Sequence, residues 1–503
     1  MPRSKTTQPT PPSRVSTSSA DNAAWTLIDS SSCDPTSRAV SSAHSSALSS
    51  AHSSAVNIAM SRRTFAGVIA AAAPALACGW RHQAQAQEPA GAPSDASDFP
   101  KLSWQNDWPW WRGPMRNGHA PRDCQLPTKF GENERVLFKA PIPGRGHSSP
   151  IVVGDAIYLT TSDEPSESQS VLALSRTTGE QLWIRPVSQG GFPERNHPKN
   201  TAATPTVACD GERVISTFFH HKGIHVTAMD TSGREIWKRR VGDFNPRRYE
   251  YGYAPSPIFY RQTVIVAAEH DGDSYIVALR RADGEEVWRT PRPRSISFSS
   301  PSIGRVAGKD QLMISGQEVV AAYDPATGKE LWQAPGTTFA TCGTMVWAGD
   351  VALASGGYPK AETIAIKADG SREVLWKNPQ QCYEQSMIVF RSNENRPTDY
   401  LVALTDKGIA FCWRVSDGKE MWKQRLRGPV SASPILVGGH IYWANESGTM
   451  YVFEANPEAF TLIAENRIGT ESMASPAISR NQMFLRVATG SGPTRTEHLY
   501  CIG

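Results

Sequence analysis

The stretch VVAAYDPATGKELWQ, residues 319–333, decides the fold. Its first five residues are small, apolar or aromatic, as in a buried strand. Asp-Pro-Ala-Thr-Gly (324–328) then supplies a reversal: Asp324 can cap its own turn, Pro325 presets φ, and Gly328 tolerates φ > 0. The following residues resume the alternation and bring Trp332 four places after the glycine. The stretch is therefore a predicted β-hairpin with an aromatic on its outer strand.

The same unit recurs as VLALSRTTGEQLW (171–183), VTAMDTSGREIW (226–237), IVALRRADGEEVW (276–288) and IAFCWRVSDGKEMW (409–422). A stretched copy, TIAIKADGSREVLW, ends at Trp376, and a decayed copy, MYVFEANPEAFTLIAEN, lacks both the glycine and the tryptophan. Tryptophans 183, 237, 288, 332, 376 and 422 are spaced by 54, 51, 44, 44 and 46 residues, the repeat length of β-propeller blades. Ahead of each hairpin a Ser-Pro or Thr-Pro step leads into two apolar strands, at Ser149, Thr204, Ser256, Ser300, Ser433 and Ser475, with Thr344-Met345 and Ser386-Met387 as proline-less copies. That makes eight inner-strand starts against seven outer hairpins.

The chain stops at Gly503, just after HLYCI, and leaves no residues for a fourth strand in the last blade. RVLFKA (135–140) has the alternation of an outer strand and places Phe138 where the tryptophan falls elsewhere. The expected fold is thus all-β: an eight-bladed propeller of four-stranded antiparallel blades over 134–503. The N-terminal strand closes the ring, pairs antiparallel with 498–502, and buries Leu137 and Phe138. Such closure removes the exposed edges an open stack would leave.

The 52 basic and 48 acidic residues nearly balance, which argues against a nucleic-acid surface. Residues 1–59 are Ser-, Ala- and Thr-rich and too poor in large apolar side chains to form a core; they are a disordered tract or lie before the true start at Met60. In 60–86, Arg62 and Arg63 precede an alanine-rich run and an Ala84-Gln85-Ala86 site, the pattern of a twin-arginine export signal. The run is too short to span a bilayer, which needs roughly 20 residues. Cys78, in ALAC, is a candidate lipidation site, so the exported chain is expected to be periplasmic, as a soluble or lipid-anchored monomer without a transmembrane span. Residues 87–103 are expected to be a polar linker. WQNDWPWWRGPMRNG opens a Trp-rich strap over 104–133, either packed on the propeller's side or base or serving as a ligand platform.

The motif A-x-D-x-x-T-G-x-x-x-W, as in AYDPATGKELW and AMDTSGREIW, resembles the pyrroloquinoline-quinone (PQQ) repeat. With WPWWRGP and APIPGRGHSSPIVVGDAIYLTT, residues 104–503 resemble exported bacterial PQQ-like propellers. Two branches share that repeat. Quinoprotein alcohol dehydrogenases hold PQQ and Ca2+ above the central channel, mostly beside a disulfide of adjacent cysteines. BamB-type lipoproteins use an eight-bladed ring as a scaffold in outer-membrane protein assembly. This chain has no Cys-Cys pair and no clear Glu, Asn and Asp run for the calcium. The resemblance implies a binding or scaffold module for a protein partner in the envelope or a small ligand, with no cofactor and no catalysis. The alternative is a PQQ- and Ca2+-dependent quinoprotein oxidoreductase.

Aligned inner strands place His147, Phe298, Cys342, Glu384, Ser431 and Met473 around the channel mouth, with Glu250, Tyr251 and Tyr253 nearby. His147 is a candidate ligand or base, or a structural histidine. Arg239, Arg240, Arg247 and Arg248 in one inter-blade loop, with Arg289, Arg292 and Arg294 in the next, suggest either an anion-binding sector or solvated loop charge. Cys342 and Cys382 precede neighbouring inner strands and are either a disulfide or small apolar filler. No Cys/His metal spacing occurs, and Glu269-His270-Asp271-Gly272-Asp273 resembles a metal loop only loosely. No catalytic residue is singled out.

Overall fold

The computed structural model describes residues 95–294, 296–392 and 396–503. Arg62, Arg63, Cys78 and the tracts 1–59 and 60–86 lie outside the described residues. The rest forms eight four-stranded antiparallel sheets arranged as blades. Blades 1 to 7 span 151–189, 208–243, 258–291, 302–335, 346–378, 388–425 and 435–467. Each runs through its strands in chain order from the inside out. The eighth takes Ala477–Ser479, Gln482–Thr489 and Thr496–Ile502 from the chain end and Val136–Ile142 from its other side.

The closing strand pairs as expected, with Phe138 opposite Cys501 and Ala140 opposite Leu499, and continues two residues beyond the expected end to Ile142 opposite Glu497. Leu137, expected to be buried, is 55% exposed, because alternation turns it outward when Phe138 faces the neighbouring blade.

What joins blade to blade is the contact between the two ends of the repeat motif. The tryptophan of one blade lies on the turn glycine of the next. A Cβ at Gly233 would stand 2.8 Å from Trp183, at Gly284 2.6 Å from Trp237, at Gly328 2.4 Å from Trp288 and at Gly418 2.7 Å from Trp376. All four glycines have φ between +70° and +81°, so the residue that permits the turn also clears space for the indole. The indole N–H then donates across the gap: Trp183 to the Thr231 carbonyl, Trp237 to Arg281, Trp376 to Val415 and Trp422 to Asn456. Trp288 is seated without such a bond.

The irregular copies find other solutions. The stretched turn of blade 5 leaves Gly370 with nothing near it, so Trp332 donates to Gln311 Oε1 and the Gln311 amide relays to the Ala368 carbonyl. Blade 7, which has lost the glycine, offers Phe460 edge-on to Trp422 at 5.3 Å. At the ring junction Phe138 of blade 8 takes the indole's place on Gly179 of blade 1, with a hypothetical Cβ 2.6 Å away.

The strap crosses the base. Trp108 bridges to Val152 of blade 1 and the Pro109 carbonyl accepts from Cys209 N–H of blade 2. Arg112, almost fully buried, donates to the Asn117, Met387 and Pro434 carbonyls, and burial pushes its pKa down to about 9. His119 Nε2 donates to the Val389 carbonyl. Residues 95–103 are not a free linker: Asp95 makes a buried ion pair with Arg116, and Phe99 is fully buried against Trp110 and Phe259. The short polar stretch conceals this anchor, because a single aromatic carries it.

Two outcomes test this packing. Gly284→Ala adds both left-handed strain and a clash, and should destabilise by about 2–4 kcal/mol. Gly308→Ala, at φ +74° with nothing within 4 Å, should lose only about 1 kcal/mol. Equal losses in denaturant unfolding would mean that the indole seat contributes nothing.

A second outcome concerns acid. His220 stacks on His225 at 3.8 Å and shares a hydrogen bond with His221 between their Nδ1 atoms, so not all three rings can carry a proton comfortably. Burial, then neighbouring histidines and Lys238, hold His220 down to about 3; burial, then Lys238 and Arg240, hold His225 at about 4. Burial likewise holds His119 at about 4, against the restraining bond to Val389. These depressed values contribute stability that is complete above the unfolded histidine pKa of about 6.5 and is lost as pH falls toward 4. Urea midpoints should therefore drop between pH 6.5 and 4, and His225→Gln should flatten the drop. A flat profile in the native sequence would contradict the burial of neutral histidines.

Candidate functional site

The inner strands begin with a ring of hydroxyls around the channel. The backbone N–H of each ring residue donates to the hydroxyl of the next blade: Ser149 to Thr206, Thr206 to Ser256, Ser256 to Ser300, Thr344 to Ser386, Ser386 to Ser433, Ser433 to Ser475 and Ser475 to Ser149, at 2.7–3.1 Å. In blade 2 the ring position is Thr206, not Thr204 of the Thr-Pro step, so the sequence alignment is two residues out there. The step between Ser300 and Thr344 lacks this bond. There the Thr344 hydroxyl accepts instead from Trp111 Nε1 at 2.9 Å.

Trp111 thus projects from the strap into the channel and closes it at the base. Trp108 and Trp110 are buried in the core below. Above Trp111 lies a cavity of about 180 Å³ that opens at the mouth. Of the residues expected at the mouth, His147, Tyr251, Phe298, Cys342, Glu384, Ser431 and Met473 all line it. Tyr251 and Phe298 are stacked at 6.0 Å, and His197 meets Tyr251 edge-on at 4.7 Å.

The polar end is built by Lys199. It reaches from the blade 1–2 connection to the far side of the ring, where Nζ lies 2.7 Å from Glu446 Oε1 and 3.5 Å from Glu384 Oε1. Ser431 lies between the same two carboxylates, within hydrogen-bond reach of both, and its one proton can serve only one at a time. Burial pushes Glu384 up, with Lys199 pulling it back, and Asp406 beside it is also raised by burial. Burial alone would lower Lys199, but Glu384 and Glu446 hold it above its ordinary value. His147 is depressed by burial to about 4, so it is neutral at pH 7, and its Nε2 is buried with no partner.

The other expected site residues lie elsewhere. Tyr253 is a core residue whose hydroxyl donates to the Ala267 carbonyl. Glu250 pairs at 3.8 Å with Arg195 beside a separate outer depression. The arginine sector is largely neutralised. Arg292 is buried against Glu269 at 2.6 Å and also donates to the Tyr323 hydroxyl; Arg294 pairs with Asp273 at 3.1 Å. Arg240 and Arg289 pair with Asp243 and Glu286. The Arg247 and Arg248 backbone N–H groups donate to Asp271, and the Arg248 guanidinium lies over Tyr249 and Phe339. The loop Glu269–Asp273 therefore supplies counter-charges to these arginines rather than a metal site. Cys342 and Cys382 are both free, which removes the disulfide alternative; the Cys382 thiol donates to the Leu404 carbonyl.

Lys199 and His197 were not among the expected site residues, whereas Trp111 belongs to the strap for which a ligand platform was one of two readings. A signal for the first two exists: the 54-residue interval from Trp183 to Trp237 is ten longer than the shortest, and the loop 190–204 takes up the excess.

The donor set of the mouth does not fit a PQQ–calcium centre. Ca2+ takes six to eight oxygens. Glu384, the one carboxylate lining the cavity, is engaged by Lys199 and Ser431. Among the described residues no three His, Cys, Asp or Glu side chains converge as metal ligands.

Comparison with known proteins agrees with the architecture. A solved structure of europium-containing methanol dehydrogenase superposes with a TM-score of 0.58 at 11% identity, over 80% of this chain and 99% of that one, a likeness of fold. "Outer membrane protein assembly factor BamB" of Burkholderia pseudomallei (strain K96243) is 21% identical over 69% of this chain and 83% of its own length. "Tetrathionate hydrolase" of Acidithiobacillus ferrooxidans (strain ATCC 23270 / DSM 14882 / CIP 104768 / NCIMB 8455) is 21% identical over 62% of this chain and 65% of its own. The family PQQ_2, described as outer membrane protein assembly factor BamB, matches residues 131–252, 167–393 and 395–457, well over half of the sequence, and the chain belongs to that family.

Proposed function

We propose that this propeller is an exported, periplasmic binding module that receives a small ligand, or a side chain of an envelope protein partner, at the mouth of its channel, without catalysis. The observation that carries the reading is the one-ended cavity: Trp111 closes the base, aromatic rings line the wall, and charged groups stand at one side of the entrance. Ligand sites of this kind combine an apolar wall with a few placed polar groups. The polar groups are bound to one another rather than to a nucleophile: Lys199 is held between carboxylates, and His147 is neutral with no hydroxyl partner. The family description, an assembly factor, is in keeping with a binding role, while a relative named tetrathionate hydrolase is an enzyme, so the reading is carried by the cavity. The quinoprotein alternative would need a calcium donor set from residues already paired here. Among the described residues no helix is long and apolar enough to cross a membrane. Export rests on Arg62 and Arg63.

Affinity capture from periplasmic extract, followed by mass spectrometry of proteins and small molecules, checks the reading. Ala254, which lines the cavity, becomes Ala254→Trp in the control. The wild type should retain a partner or ligand that the cavity-filled variant loses at unchanged melting temperature; identical capture by both would move binding elsewhere. A visible absorbance band from bound quinone would favour the oxidoreductase. Arg62→Lys with Arg63→Lys should leave the precursor in the cytoplasm.

A further inference from the structure

The charges at the cavity entrance do not balance. Glu384 and Glu446 come together around a single cation, the Lys199 ammonium, and one hydroxyl proton on Ser431, with Asp406 as a further acidic neighbour of Glu384. Asp406 is held by the Tyr383 backbone N–H and the Gln381 and Gln385 amides, all neutral donors. Lys199 itself belongs to the long loop 190–204, and its side chain is 38% exposed. A flexible four-carbon side chain ordered at a partly exposed site gives up rotamer freedom for a screened attraction, which makes it a displaceable occupant. Tyr251, Phe298 and Tyr383 line the same cavity, and aromatic rings attract cations through their quadrupoles.

On this basis we propose, building on the channel-mouth reading above, that the ligand is an organic cation. An alkyl- or arylalkylammonium head replaces the Lys199 ammonium between Glu384 and Glu446, and an apolar body lies along Tyr251, Phe298 and Tyr383. An anionic ligand meets the Glu384 and Glu446 carboxylates there and only one cation. A neutral one leaves the acids as they are and gains only the apolar wall. Lys199 then acts as an internal competitor that fills the acidic end while the cavity is empty and swings out with its loop when the ligand enters. The same head group is presented by a free amine and by a lysine side chain of a partner protein.

Calorimetry on the exported chain separates the alternatives. The titrants are 2-phenylethylammonium, 2-phenylethanol and phenylacetate, three bodies of similar shape with charges of +1, 0 and −1, together with Nα-acetyl-lysinamide. The ammonium should bind, and the alcohol and the acid should not. Removing the competitor with Lys199→Ala should tighten the ammonium by about tenfold, and Glu384→Gln should weaken it by about tenfold, the factor that goes with 1.4 kcal/mol. Thermal unfolding verifies that both variants fold. Preference for Nα-acetyl-lysinamide over 2-phenylethylammonium assigns the head group to a partner protein, the reverse to a free amine, and either supports the proposal. A second readout uses Cys342, the one free cysteine among the described residues that is partly exposed and a lining residue of the cavity, followed at alkaline pH because burial pushes its thiol pKa up. Its alkylation by a maleimide should slow when the ammonium is bound. Phenylacetate or phenylethanol binding as tightly as the ammonium, or a looser ammonium in Lys199→Ala, overturns the cation proposal and leaves the cavity reading standing. Failure of all four compounds to bind or to protect Cys342 overturns both.

Discussion

The seat of a blade's aromatic on the next blade's turn glycine, made by four of the six tryptophans and by Phe138, is the contact on which this molecule depends. Within a blade, backbone ladders hold the four strands, but nothing in a ladder fixes the angle between two blades. The indole does: in four of the six cases one face lies on a backbone with no Cβ, and in four its N–H reaches a carbonyl of the neighbouring blade. Repeated at five of the eight blade junctions, this contact sets the pitch that returns the ring to its start. The last step uses Phe138 on Gly179, so the strand that completes blade 8 also makes the standard contact with blade 1. Closure is therefore part of the same series and not a separate clasp.

That pitch in turn brings eight inner-strand starts to one circle. At seven of the eight steps a backbone N–H donates to the hydroxyl of the neighbouring blade, which lets a polar ring exist in a buried channel. The one missing link is where the strap enters, with the Trp111 N–H taking the Thr344 hydroxyl as acceptor. A through-channel becomes a cup. What the cup can hold is decided by the loops of variable length above it. The longest of these carries Lys199 across the opening to Glu384, 185 residues further along the chain.

Much of this was legible in the sequence because it repeats. The motif from Asp324 to Trp332 gave the hairpin, its spacing the blades, and the shortage of one outer strand the closure by 135–140. Inner-strand alignment also placed His147, Phe298, Cys342, Glu384, Ser431 and Met473 on one circle, since a regular ring maps equal register onto equal height. Contacts that do not repeat were harder. Lys199 meets its acids across the ring, and no local spacing connects residues 199, 384 and 446. The arginines at 292 and 294 resembled an anion site because their counter-charges, Glu269 and Asp273, sit in a neighbouring loop with the look of a poor metal motif. Blade 2 slipped by two residues because Thr204-Pro205 imitates the step that Thr206 fills. Phe99 and Asp95 lay in a stretch too polar on average to suggest the anchor they form with Trp110 and Arg116.

The central claim is that a one-ended channel, closed by Trp111 and gated by Lys199, holds a cation at its acidic rim. A crystal structure of the protein grown with 2-phenylethylammonium chloride tests it most directly. The account requires the ring between Tyr251, Phe298 and Tyr383, the ammonium between Glu384 and Glu446, and the Lys199 side chain displaced from both. An empty cup with Lys199 still on Glu446, or the ligand bound outside the channel, would contradict it.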